Sequence, residues 1–346
     1  MKNLLVFTAV SIVAMQTAQA ATVYKADDLR VDLTGKVQYE AGAFKYDKQD
    51  KTKRLNFGGD GKARLGTQFR YRFSDEIDLL GKLEWQMNAE EENDAKTDSI
   101  DVRYAWLGFR YLDQLEMAIG RTKSSTSQLI DVTDIFELFG SSANDNKING
   151  IKPFASKKDD QLTIGYDVGN WDLRASYVFE DDRRTRETTD GDRNYQYSLS
   201  ARYSTDIGLD LVTAYERQSF QGATAMLGDM TSWGFGAGYR YNSLYVGAIN
   251  GYKSMQAADN EEFSTHFYEL AGAYQLGDFL LMAGYNNEKG QDNLADEGNR
   301  VDEYVFGVSY QVMPRAKLYA EYNVDRVRLD DRPRDDLYGI GVEVKF

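Results

Sequence analysis

Leu337-Tyr338-Gly339-Ile340-Gly341-Val342-Glu343-Val344-Lys345-Phe346 alternates without a break. Tyr338, Ile340, Val342, Val344 and Phe346 share one parity, all apolar or aromatic; Leu337, Gly339, Gly341, Glu343 and Lys345 share the other. An extended chain sends successive side chains to opposite sides, so this segment reads as a strand with one greasy face and one mixed face. The same texture recurs upstream. In Val31 to Ala43, Val31, Leu33, Val37, Tyr39 and Ala41 alternate with Asp32, Thr34, Lys36, Gln38 and Glu40. Ala63 to Phe73 sets Leu65, Phe69 and Tyr71 against Arg64, Gln68, Arg70 and Arg72. Further stretches repeat it at Ile77–Met87, Trp171–Phe179, Tyr195–Tyr203 and Trp233–Tyr241. A period of two is the strand signal, and no helical period competes with it.

A layered soluble sandwich alternates too, and the connections separate it from a closed barrel. Seven connections are tight: Ser74–Glu76, Leu112–Gln114, Gly169–Asn170, Thr205–Asp206, Asn242, Leu276–Asp278 and Val312–Pro314. Eight are long and polar, near residues 47–61, 88–99, 122–147, 181–193, 218–230, 253–263, 287–300 and 325–336. Short and long take turns along the chain. Membrane barrels have that asymmetry, whereas a sandwich has no reason to segregate its loops by length. Fifteen connections imply 16 antiparallel strands, with Ile148–Val168 read as one of them and both ends of the barrel on the periplasmic side. Closure removes the unpaired edges that hydrocarbon does not tolerate, and a cylinder this wide encloses water. The fold class expected is all-β, a 16-stranded transmembrane barrel.

Composition agrees. The chain is hydrophilic on average yet carries 24 Tyr and 17 Phe, as a wall needing only every second residue apolar would. After the first 20 residues no run approaches the ~20 apolar residues of a membrane helix. Trp85, Trp106, Trp171 and Trp233 all take lipid-face parity. Met1–Ala20 has a cationic start at Lys2, an apolar run from Leu4 to Met15 and a small-residue ending, Ala18-Gln19-Ala20. That is the grammar of a secretory signal peptide, which leaves 21–346 as the barrel. The formal net charge of −14 disfavours nucleic acid as a partner, and the absence of cysteine excludes thiol chemistry and disulfide staples.

Catalysis is not indicated. The single histidine, His266, shares the parity of Tyr268, Leu270 and Tyr274, so it faces the apolar side, away from polar partners. No phosphate-cradling glycine loop opens a helix, and no cofactor is expected. The inner parity is more informative. Lys36, Lys62, Arg64, Arg70, Arg72, Lys82 and Arg103 all fall on it, with Lys36, Arg64 and Arg103 placed at mid-height. The longest loop, about 122–147, holds an unusual apolar cluster of Ile130, Val132, Ile135, Phe136, Leu138 and Phe139, with Asp131, Asp134 and Glu137 interspersed. Such a loop needs a surface to pack on. Folding into the barrel supplies one, and sets its acids opposite the basic wall in a transverse field.

These residues, in this order, resemble the general porins of the Gram-negative outer membrane over essentially the whole mature length. Ala21-Thr22-Val23-Tyr24, Val31-Asp32-Leu33-Thr34-Gly35-Lys36, Ala63-Arg64-Leu65-Gly66 and the terminal Phe346 carry the likeness. The resemblance implies that Lys36, Arg64 and Arg103 form the basic wall of the pore constriction, with Lys147 where the family has arginine. Asp134 matches an acid of the constriction loop. Glu137-Leu138-Phe139-Gly140-Ser141 departs from the family's Pro-Glu-Phe-Gly-Gly, which puts the aim of Glu137 in question. It further implies a homotrimer in outer-membrane lipid and lipopolysaccharide. The function expected is passive diffusion of ions and small hydrophilic solutes, weakly favouring cations. A substrate-specific channel, or a structural or adhesive barrel, is the alternative.

Overall fold

A computed structural model describes residues 20–47, 49–88, 100–148, 150–154, 157–180, 192–221, 228–257, 261–292, 298–329 and 331–346. Of the expected leader only Ala20 falls among them. The strands are β1 (Ala21–Lys25), β2 (Leu29–Ala43), β3 (Gly58–Arg72), β4 (Ile77–Asn88), β5 (Ile100–Tyr111), β6 (Leu115–Lys123), β7 (Lys157–Val168) and β8 (Trp171–Val178). They continue as β9 (Asp192–Ser204), β10 (Leu209–Gln221), β11 (Asp229–Tyr241), β12 (Leu244–Gln256), β13 (Glu262–Leu276), β14 (Phe279–Asp292), β15 (Asn299–Met313) and β16 (Ala316–Asp325). A small ribbon, β17 (Arg328–Leu329) with β18 (Arg332–Pro333), precedes β19 (Leu337–Lys345).

Each strand from β2 to β16 pairs antiparallel with the next, and β19 joins β16 to β2. The sheet closes as a 16-stranded barrel. One stave is composite. β19 occupies β2 from Lys36 to Ala43, and the short β1, which period-two reading passed over, occupies Arg30 to Leu33 on the same edge. Phe346 completes the junction: its N–H and C=O exchange 2.9 Å bonds with Gly35, and its ring covers the space where a Gly35 side chain would stand.

The faces follow the alternation. On β2, Val37 and Tyr39 are 55% and 48% exposed on the outside, while Gln38 and Glu40 are 6% and 3% exposed within. Tyr338, Ile340, Val342, Val344 and Phe346 all lie on the outer surface. Buried apolar area is instead gathered between the inner wall and one in-folded loop: Leu129, Ile130, Val132 and Phe154 pack with Val212, Ala214, Ile249 and Phe267. All seven short turns expected occur as tight connections. At Gly169, φ is +58°, a left-handed turn conformation that glycine adopts without a Cβ clash.

Two sequence expectations need correcting. The strand expected over Ile148–Val168 begins at Lys157; Ile148 and Ile151 form only a local bridge, so the loop before β7 is longer than 122–147. The second concerns Trp106. The β4–β5 register slips between Glu84 and Trp85, leaving Arg103 as an extra residue on β5. Such a bulge reverses the parity beyond it. Trp106 consequently sits opposite Lys82 on the inner face, and Leu107 points outward with 60% exposure.

Candidate functional site: a loop-narrowed lumen

The loop from Ser124 to Phe154 enters the barrel and is tied to the wall by residues of strands β8 to β10 and β12 to β16. At its start, Ser124 and Ser125 bond to Ser198, the Ser125 N–H to Ser176 (2.8 Å), and the Gln128 side-chain oxygen accepts from Ser200 (2.6 Å). A short helix α1 (Ser127–Ile130) follows, and Leu129 fills the space left by Gly234 and Gly236 on β11. At Gly247 a Cβ would stand 2.2 Å from the Val132 carbonyl, which Tyr245 holds by a 2.7 Å bond. Glycines on the wall are what let the loop's backbone approach so closely.

The rest of the loop hangs on carboxylates. Glu321 of β16 accepts the N–H groups of Glu137, Leu138 and Phe139 at 2.7, 2.9 and 2.9 Å. Glu269 of β13, wholly buried, accepts the Thr133 hydroxyl and the N–H groups of Ala143 and Asn144 at the start of helix α2 (Ser142–Asp145). The carbonyls of Ala143 and Asn146 receive the buried Lys253 ammonium of β12 at 2.7 and 3.1 Å. The helix thus has an anion at its N-terminal amides and a cation at its C-terminal carbonyls, the arrangement peptide dipoles favour. Lys253 is balanced by Glu288 at 2.6 Å.

Facing the loop is a transverse row of inward side chains. Lys36 lies directly opposite Arg64, and Arg64 opposite Gln86. The Arg64 Nε donates to Gln86 (2.7 Å), Arg103 donates to Gln86 (3.2 Å) and Glu84 (2.9 Å), and Lys36 pairs with Glu343 (2.7 Å). Lys317 and Lys345 extend the row around Glu343 at 3.3 and 2.9 Å. Lys82 shares Glu84 and stands 4.1 Å over the Tyr104 ring, with Lys157 5.7 Å from the same ring. Lys36, Arg64 and Arg103 are therefore brought together. No contact among the described residues ties Lys147 to them: its carbonyl accepts from Arg300 of β15 and its side chain is exposed.

The three acids named from sequence differ in fate. Asp131 pairs with Lys123 at 2.7 Å, and Glu137 pairs with Lys317. Glu137 thus leans on β16. Asp134 alone of the three opens on lumen water with no ion pair among the described residues. Enclosure by wall and loop on its other sides, and next the Asp131 charge, push its pKa up to about 6, with Lys123 pulling the other way. No group of three or more metal-ligating side chains lies among the described residues. Reasoning from sequence missed the part played by Glu321, Glu269, Glu343, Lys317 and Lys157. Parity put Glu343 on the mixed face of its strand, but gave no hint of its partners.

The model of the Gram-negative porin family matches residues 6–330. Outer membrane protein U of Vibrio parahaemolyticus is 29% identical over 343 residues, spanning 96% of this chain and 92% of that protein. Outer membrane porin F of Escherichia coli K12 is 23% identical over 381 residues, spanning 100% and 99%. Among solved structures, Salmonella typhi OmpF in complex with daunomycin superposes with a TM-score of 0.78 at 16% identity, covering 93% of this chain and 99% of that one. An anion-selective porin from Comamonas acidovorans gives 0.74 at 14% identity, covering 92% and 100%. At such identities these structures speak to the fold alone.

Proposed function

The chain belongs to the Gram-negative porin family, and from that premise we propose that its outer-membrane channel is weakly cation-selective, sorted at the narrowing between the Lys36–Arg64–Arg103 row and Asp134. It is a non-enzymatic pore for passive diffusion of small hydrophilic solutes. The observation that carries the selectivity reading is the distribution of charge. Of the three candidate loop acids only Asp134 is without an ion pair among the described residues, while Lys36 shares Glu343 with Lys317 and Lys345, and Arg103 shares Glu84 with Lys82. Arg64 bonds to neutral Gln86, so a cationic remainder persists on that wall. The excess of acid over base elsewhere, within a formal charge of −14, attracts cations to the mouths. A transverse field of this kind aligns dipolar solutes and separates the paths of cations and anions along opposite walls.

Family membership and the outer-face small residues Gly35, Ala41 and Ala63 support assembly as a homotrimer, with lipid and lipopolysaccharide around its perimeter. The test is the reversal potential of single channels in a planar bilayer under a KCl gradient at neutral pH. A modest cation preference is expected. A clear anion preference would refute the assignment of sign.

A further inference from the structure

We propose that the inner wall at Tyr104 and Trp106 is a binding subsite for planar organic anions, an aromatic ring bearing a carboxylate. The proposal rests on the channel reading and goes beyond it by naming a solute class. The outer aromatics are explained by lipid, but these two face water. They do so because of one feature, the extra residue Arg103 on β5, which turns Tyr104 inward opposite Glu84 and Trp106 inward opposite Lys82. Bulges re-aim side chains and gather near functional sites. Both rings are partly accessible, and exposing apolar surface to water has a cost that a stacking solute would relieve.

Charge supplies the other half of the recognition. Lys82 and Lys157 stand 4.1 and 5.7 Å from the Tyr104 ring, and Lys82 lies opposite Trp106 in the sheet register. Glu84 is shared between Lys82 and Arg103 at 2.9 Å from each, and Arg64 meets Arg103 at the Gln86 amide. Arg64 donates to a neutral amide, so its guanidinium keeps donors for an incoming carboxylate. Lys82 lies over Tyr104, which leaves the Trp106 indole, one pleat below, as the broader stacking surface. A neutral sugar would use the rings and ignore the cations; acetate would use the cations and ignore the rings. An arenecarboxylate uses both. A channel can pass small cations preferentially and still retain such an anion along one wall.

The experiment measures binding of 2-naphthoate to the purified full-length barrel in detergent by calorimetry, with acetate as comparator, alongside blockade of single-channel current. Naphthoate is expected to bind about tenfold more tightly than acetate, in line with stacking, and to interrupt the current. Trp106→Ala should remove that advantage, whereas Trp106→Phe should keep most of it and shows that the strand still folds. Equal affinity for the two anions, or naphthoate binding unchanged in Trp106→Ala, overturns the proposal. A barrel that binds naphthoate through Trp106 but conducts no ions leaves the subsite standing and removes the channel reading instead.

Discussion

Replacing Glu321 by alanine should release the tip of the in-folded loop. The wild-type carboxylate accepts three consecutive amides, those of Glu137, Leu138 and Phe139, at 2.7 to 2.9 Å, from a position only 3% exposed. Hydrogen bonds to a charged acceptor contribute roughly 1.5–3 kcal/mol each, so three give an upper bound of about 5–9 kcal/mol. The lumen is wet, however, and water entering the vacated space will satisfy much of what the amides lose. Neighbouring contacts also persist, since Leu138 still packs over Gly339 and Phe136 against Gly284. A net loss of about 3 kcal/mol is a reasonable remainder, which corresponds to roughly a hundredfold rise in the undocked population. Hydrogen exchange on the detergent-solubilised barrel should show amide protection at residues 137–139 reduced by about that factor. Single-channel traces should show a higher mean current and more open-state noise. Glu321→Gln, which keeps one acceptor oxygen but places an NH₂ toward the same amides, should fall between. Unchanged protection of these three amides in Glu321→Ala would refute the view that the carboxylate holds the tip.

Two further outcomes follow from the same geometry. Because the Asp134 pKa is raised to about 6, its charge is present above that pH and lost below it. The cation preference measured by reversal potential should therefore decline between pH 7 and pH 5, and Asp134→Asn should flatten that step while starting from a lower preference. At Gly247 a methyl group would collide with the Val132 carbonyl at 2.2 Å, so Gly247→Ala should displace the loop and break the Tyr245–Val132 hydrogen bond. Thermal unfolding followed by electrophoretic mobility should register a loss of about 1–3 kcal/mol, and wild-type melting would show that the loop yields more easily than its packing implies.

Much of the site was legible because inward parity is a local property. Lys36, Arg64 and Arg103 were recognisable as wall cations from their strands, and the apolar cluster from Ile130 to Phe139 signalled a loop in need of a surface. Partner choice was not legible. Nothing near Glu137 announces Lys317, which lies 180 residues away, nor does anything near Asp131 distinguish pairing with Lys123 from facing the pore. The setting of Lys147 is non-local in the same way, since its carbonyl is held by Arg300 of β15, 153 residues away.

The amino-acid sequence alone determined that the chain forms strands, how many turns and loops join them, and which side of most strands meets lipid, because alternation is written into each successive pair of residues. Tertiary structure alone decided the inward turn of Trp106, the composite stave of β1 and β19, and the neutralisation of all but one of the three loop acids. One inserted residue reverses every face beyond it without leaving a trace in composition, and an ion pair across the lumen exists only after the sheet has closed.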